Sequence, residues 1–243
     1  IAVLAVAGLA AGPVLRALVV RLSVPSGQPW RRSCPACDSP LLPGRGAPAA
    51  VLAPTGRCAA CRVRLGPPAL TVELTAAVAA ALLAARIHPA LVLAAVCWLA
   101  VCTIPLAYID AATRRLPDLL TATAYAGTAA FLLAAAGSGH WSSAIRALLG
   151  GAAFAAFCLL LLLISPSGMG AGDVKLAASL GTALAWLGWG TLIAGALAGF
   201  LLGASYGVTL LASGRASRKT QVPFGPFMIA GTLLVLAIAG LSG

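Results

Sequence analysis

Residues 147–164 read ALLGGAAFAAFCLLLLLI, eighteen consecutive positions without a charge. A helix crosses the hydrocarbon core with about 20 mostly apolar residues, so this stretch predicts a membrane span. Working outward, Ile87–Ile109, Leu119–Gly137 and Thr220–Gly243 are equally free of charge. Leu176–Gly214 is charge-free and long enough for two spans, with a turn expected at Leu187-Gly188-Trp189-Gly190. Leu70–Ala85 predicts another span with Glu73 near its start, and Ile1–Leu22 a first one that Arg16 interrupts. The reading is an all-α polytopic membrane protein of about eight transmembrane helices. Strand or irregular backbone facing lipid would leave amide groups unpaired.

The whole-chain composition agrees. Of 243 residues, 61% are hydrophobic and 9% charged, against about 25% charged in an ordinary soluble domain. A soluble enzyme, a disordered regulator and a nucleic-acid-binding module are excluded as whole-chain readings, and no nucleic-acid partner is expected. The net charge of +11 reads first as topology. With the N-terminus outside, the loops at 23–69, 110–118, 165–175 and 213–222 face the cytoplasm. They carry Arg31, Arg32, Arg45, Arg57, Arg62, Arg64, Arg114, Arg115, Lys175, Arg215, Arg218 and Lys219. The opposite side has only Arg86 and Arg146 near its helix ends. The chain opens on Ile with a short first span, which suggests a truncated start, and no basic segment of a signal peptide precedes it.

Residues 23–69 are rich in Pro, Gly and Arg, and hold four of the seven cysteines. Cys34-Pro35-Ala36-Cys37 and Cys58-Ala59-Ala60-Cys61 are separated by twenty residues. Two such knuckles converge on a tetrahedral metal, zinc by default, through thiolates. Disulfides and a redox-active pair are the rival readings; a reducing compartment disfavours the first. A closed four-thiolate shell implies a structural metal, not a catalytic one. Cys97, Cys102 and Cys158 fall inside apolar spans and read as packing residues. His88 and His140 sit at outer helix ends and read as interfacial side chains.

The five acids are Asp38, Glu73, Asp110, Asp118 and Asp173. An ionisable group at a membrane edge is a functional candidate by default. Three of the five lie in Tyr108–Asp118 and Gly168–Lys175, which the topology places at one edge. Two close carboxyls share a proton, so one can take a proton from water while the other polarises a carbonyl. That pairing hydrolyses peptides without a metal. The competing reading is that Asp110, Asp118 and Asp173 each cap a helix N-terminus. Lys175 and the Arg114-Arg115 pair equally serve topology alone.

With these motifs assembled, the chain resembles the type IV prepilin peptidases, membrane aspartic proteases of the GxGD type. The four cysteines resemble the family's cytoplasmic loop. Asp110 through Leu116-Pro117-Asp118-Leu119-Leu120-Thr121 resembles its D-x5-LPD-x-LT segment. Gly170-Ala171-Gly172-Asp173-Val174-Lys175-Leu176 resembles its GxGDxKL motif, and Pro223-Phe224-Gly225-Pro226-Phe227 its late PFGPF signature. The resemblance implies that Asp110 and Asp173 are the catalytic pair. It gives Asp118, Gly170, Gly172 and Lys175 supporting places in the motifs.

It also implies cleavage of the short basic leader of prepilin or pseudopilin precursors at the cytoplasmic edge of a bacterial inner membrane. Methylation of the new N-terminus with S-adenosylmethionine would follow. The region linked to methyl transfer departs from the family: Gly12–Arg21 lacks the Ser and Asn of its G-S-F-L-N-V-like stretch. Glu73 matches an acid the family carries on entering its second span, against the plain reading of an interfacial charge. The expected organisation is a first helix at 1–22, a zinc-knuckle loop at 23–69 and a membrane protease core at 70–243. A non-catalytic assembly protein of the same fold and an ion-coupled transporter are the alternatives. A transporter would place its ionisable groups at mid-bilayer, whereas these acids gather at one edge.

Overall fold

The structure, a computed structural model, describes residues 1–25, 28–41, 55–166, 168–214 and 222–239. Arg45, Arg215, Arg218 and Lys219 of the expected basic loops lie outside the described residues. Among the described residues there are eight helices and no strand: α1 (Ala2–Leu22), α2 (Thr71–Arg86), α3 (Ala90–Thr113), α4 (Asp118–Ala136), α5 (Trp141–Ile164), α6 (Ala171–Leu187), α7 (Trp189–Ala212) and α8 (Gly225–Ala239). Five of them, α1, α3, α4, α5 and α7, are long and apolar enough to cross a membrane. Helices α2, α6 and α8 have 16, 17 and 15 described residues. At about 1.5 Å per residue, α6 spans roughly 25 Å. The expected turn between the sixth and seventh helices falls at Gly188.

Helices α3 and α6 form the centre. Helix α3 packs against α1, α2, α4, α6 and α8, and α6 against α3, α4, α5, α7 and α8. Apolar side chains cannot drive this association inside lipid, so close backbone approach has to contribute. The α5–α6 contact shows it: a Cβ on Gly181 would stand 2.9 Å from the carbonyl oxygen of Gly150. Large apolar residues such as Leu160, Leu163, Ile193 and Leu201 face outward, as they do in a protein solvated by acyl chains.

Two expected boundaries move. Helix α3 continues to Thr113, so Asp110 lies in its last turn and not in a loop. Helix α6 begins at Ala171, which puts Asp173 and Lys175 inside its first turns. Charge marked these residues as loop, but backbone hydrogen bonding carries a helix past the point where its side chains turn polar.

Described residues in or beside the four basic loops meet at one end. Arg115 Nη1 donates to the carbonyl of Pro25 at 3.2 Å, Lys175 Nζ meets Asp118 Oδ1 at 2.7 Å, and the Gly225 N–H reaches Asp110 Oδ2 at 3.1 Å. Arg146 lies at the other end. Its Nε and Nη2 donate to the carbonyls of Ala185 and Trp186 at 2.7 and 2.6 Å. These are terminal carbonyls of α6 that the helix itself leaves open.

Arg16 does not interrupt α1. It is fully buried and grips Glu73 through two bonds, Nε to Oε1 at 2.8 Å and Nη2 to Oε2 at 2.7 Å. Its remaining donors reach the carbonyls of Pro67 and Pro68 at 2.9 and 3.1 Å. Glu73, 4% exposed, is therefore a buried partner and not an interfacial charge. A fork of guanidinium donors on a carboxylate satisfies both groups and makes their burial tolerable.

Candidate active site and metal-binding knuckles

Asp110 descends from the last turn of α3, and Asp173 stands at the third position of α6. Both are buried, at 5% and 7% exposure, and both line one cleft of about 150 Å³. Arg114, Met169 and Phe224 also border it. Asp173 Oδ2 accepts the N–H of Gly170, the N-cap residue of α6, at 2.9 Å. Its Oδ1 is buried and has no hydrogen-bond partner among the described residues. An unpaired buried carboxylate oxygen is costly unless something binds it. Asp173 is not the N-cap itself but serves the helix start through one oxygen, and its other oxygen is free of that role.

Asp110 does not cap its own helix, since it lies at the wrong end. Its Oδ2 instead accepts the N–H of Gly225, the first residue of α8. This explains the glycine of PFGPF: a Cβ there would sit 2.8 Å from Asp110 Oδ2. Gly172 is likewise required by space, since a Cβ on it would stand 2.9 Å from Leu116 Cβ. The second glycine of GxGD therefore lets the α6 start press against the Leu116-Pro117-Asp118 turn. Asp118 makes no cap bond and is exposed. It pairs with Lys175 and so ties the start of α4 to that of α6.

The four knuckle cysteines converge. Their sulfurs all lie within 4.8 Å of one another, with Cys34–Cys61 and Cys37–Cys58 each at 3.7 Å. A tetrahedron with metal–sulfur bonds of about 2.3 Å sets sulfurs roughly 3.8 Å apart. A disulfide needs about 2.05 Å, so the cysteines are free and the donor set fits a thiolate metal. Backbone N–H groups of Cys61 and Ala60 directed at the Cys58 sulfur pull that thiol down to about 7. Cys37 accepts from the backbone at Ser39, yet the neighbouring thiols push it up to about 12. Four crowded sulfurs resist ionising together until a cation compensates them.

An internal repeat escaped the sequence reading. Cys34 N–H donates to Ser39 O and Leu41 N–H to Arg32 O; Cys58 N–H donates to Val63 O and Leu65 N–H to Gly56 O. Bridges Ser33–Pro40 and Arg57–Arg64 repeat likewise. Asp38 and Arg62 both take positive φ, at 53° and 58°. The common register, one knuckle every 24 residues, was present in Cys34/Cys58, Cys37/Cys61 and Leu41/Leu65. Leu41, Leu65, Cys34 and Cys58 pack together with Val20 of α1, which seats the pair of knuckles on the first helix. The Arg16–Glu73 pair was missed too, although an arginine and a glutamate in neighbouring apolar spans signal it.

Residues 93–208 match the model of the type IV leader peptidase family. The chain is similar to proteins called prepilin leader peptidase/N-methyltransferase. It is 34% identical to that of Burkholderia pseudomallei (strain K96243) over 208 residues, 83% of this chain and 65% of the relative. Against Aeromonas salmonicida the identity is 31%, covering 85% of this chain and 71% of the relative. Against Pseudomonas aeruginosa it is 32%, covering 84% and 70%. The chain thus spans just under two thirds of the Burkholderia relative's length. No solved structure matches the chain.

Proposed function

From its membership of the type IV leader peptidase family, to which the similarity to these relatives assigns the chain, we propose that this multi-pass membrane protein cleaves the leader of prepilin-like precursors with Asp110 and Asp173. The observation that carries the reading is that both carboxyls are buried in one cleft, each held by a glycine N–H, with Asp173 Oδ1 unpaired. Two carboxyls in so small a space share one proton. The ionised one takes a proton from water, whose oxygen attacks the scissile carbonyl. The protonated one donates to the carbonyl oxygen as charge develops there. The proton gained then passes to the leaving amine.

Asp118 and Lys175 support this site from outside by fixing α4 to α6; Gly170 and Gly172 support it by their hydrogen bond and their close packing. That basic residues gather at this end supports reading the cleft as lying at the cytoplasmic edge of a bacterial inner membrane. A precursor whose apolar helix lies in the bilayer would deliver its leader junction there. The cysteine knuckles hold zinc as a structural ion. Methylation of the new N-terminus with S-adenosylmethionine is the second step, a reading supported by the word N-methyltransferase in the relatives' name.

The test is co-expression with a prepilin-like precursor and N-terminal sequencing of the product. Asp110→Asn and Asp173→Asn should each abolish cleavage while the protein accumulates in the membrane. Normal processing by either variant overturns the dyad.

A further inference from the structure

The dyad cleft has a side chain that the cleavage step leaves unused. Among the described residues that line it, Arg114 is the one cation. Arg114 ends α3 in the left-handed conformation, at φ 53° and ψ 42°. Glycine adopts that conformation most easily and is the usual residue at such a helix end. Backbone preference therefore does not explain an arginine here. Its N–H donates to the carbonyl of Asp110 at 2.7 Å. Its guanidinium has no ion pair or hydrogen bond among the described residues. The neighbouring cations are engaged: Arg115 donates to the carbonyl of Pro25, and Lys175 pairs with Asp118.

We propose that Arg114 is the product-binding residue of this cleft, its guanidinium taking the new C-terminal carboxylate of the leader after hydrolysis. The inference rests on the cleavage by Asp110 and Asp173 proposed above. Hydrolysis adds water across the scissile bond. The water oxygen bonds to the carbonyl carbon, and the C–N bond breaks with its electron pair on nitrogen, which takes a proton. The leader then ends in a carboxyl with an ordinary pKa of about 3.5. That carboxyl gives its proton to the amine, so the products are a carboxylate and an ammonium. A third carboxyl group has thus formed beside two buried ones, in a cleft of about 150 Å³. Like charges so close repel each other. A guanidinium stays charged at any working pH and takes a carboxylate in fork geometry.

Position adds to the argument. Arg114 lies four residues beyond Asp110 and past the apolar run of α3, about 6 Å further along its axis. A leader lies on that side when the apolar helix of its precursor is in the bilayer. Asp110 and Asp173 are 5% and 7% exposed, whereas Arg114 is open to solvent. A carboxylate drawn to Arg114 therefore leaves the buried pair for the mouth of the cleft. The basic side chains of a leader are repelled from this place, and its terminal carboxylate is the complementary group. The intact precursor has no carboxylate at that point, so the contact is made only after cleavage.

The probes are two synthetic peptides with the leader sequence of the precursor used in the cleavage assay. One ends in the carboxylate and the other in the amide. Calorimetry on the purified full chain measures the binding of each. The carboxylate peptide should bind at least fivefold more tightly than the amide. Arg114→Gly and Arg114→Gln should each reduce that preference below twofold, and Arg114→Lys should keep part of it. Arg115→Gln should keep all of it. Arg114→Gly should melt no lower than the wild type, because glycine suits the left-handed conformation. The inference is overturned if the wild type shows no preference, if natively melting Arg114→Gly and Arg114→Gln retain it, or if Arg115→Gln loses it equally. A wild type that cleaves precursor but does not distinguish the two peptides overturns the role of Arg114 alone and leaves the dyad standing.

Discussion

Asp110 on α3 accepts a hydrogen bond from the backbone N–H of Gly225, the first residue of α8, at 3.1 Å. The two residues are 115 positions apart in the chain. The carboxyl is thereby aimed by a helix start from the far end of the sequence. Gly225→Ala would bring a methyl group within 2.8 Å of that oxygen. Cleavage of a prepilin-like precursor should fall at least tenfold, with the protein still accumulating in the membrane. Gly207→Ala, where a Cβ meets nothing within 4 Å, is the matched control and should cleave normally. Equal activity in the two variants would show that the Gly225 contact does not matter.

The Asp118–Lys175 pair is exposed, so its direct contribution to stability is small, about 0.2–1 kcal/mol. Its expected effect is on geometry. Lys175→Glu alone should lower cleavage several-fold with little change in melting temperature. The exchange Asp118→Lys with Lys175→Glu should restore much of it. If the double exchange is no better than the single one, the pair does not position α6.

The Arg16–Glu73 pair behaves differently because it is buried. Removing one partner strands a charge, at a cost of about 3–5 kcal/mol. Glu73→Ala should therefore lower the melting temperature in detergent markedly. Arg16→Met combined with Glu73→Leu should recover part of the loss, since apolar residues of similar volume tolerate that site. A double variant as unstable as Glu73→Ala would mean that the bonds from Arg16 to Pro67 and Pro68 outweigh the ion pair.

The knuckles predict one bound metal per chain, measured by elemental analysis of purified protein. Cys34→Ser or Cys58→Ser should each eliminate it, because each removes one of four converging sulfurs. Chelation should expose Leu41 and Leu65 to proteolysis around the knuckles, since these residues pack on the cysteines and on Val20. A metal-free protein with protected knuckles would reject the site.

Much of this architecture was legible in the residues. Charge-free runs marked the helices, because lipid tolerates nothing else of that length. Cysteine spacing marked the knuckles, because thiolate geometry is short-range and local. The helix ends were placed less well: Asp110 and Asp173 read as loop, yet both lie within helices. Charge reports the neighbourhood of a side chain, whereas a helix ends where its backbone bonds end. Gly225 and Gly172 were recognised only as members of motifs. Their reasons, Asp110 Oδ2 and Leu116, stand on other helices and turns.

The sequence by itself determined that the chain is a helical membrane protein, which residues are ionisable at its edge, and that four thiols come in two local pairs. These follow from solvation and from spacings of a few residues. Tertiary structure alone decided that Asp110 and Asp173 share one cleft, that Arg16 closes on Glu73, and that Gly225 aims Asp110. Each of those relations joins different helices. It depends on how α3 and α6 pack at the centre, and no local pattern in the sequence encodes that packing.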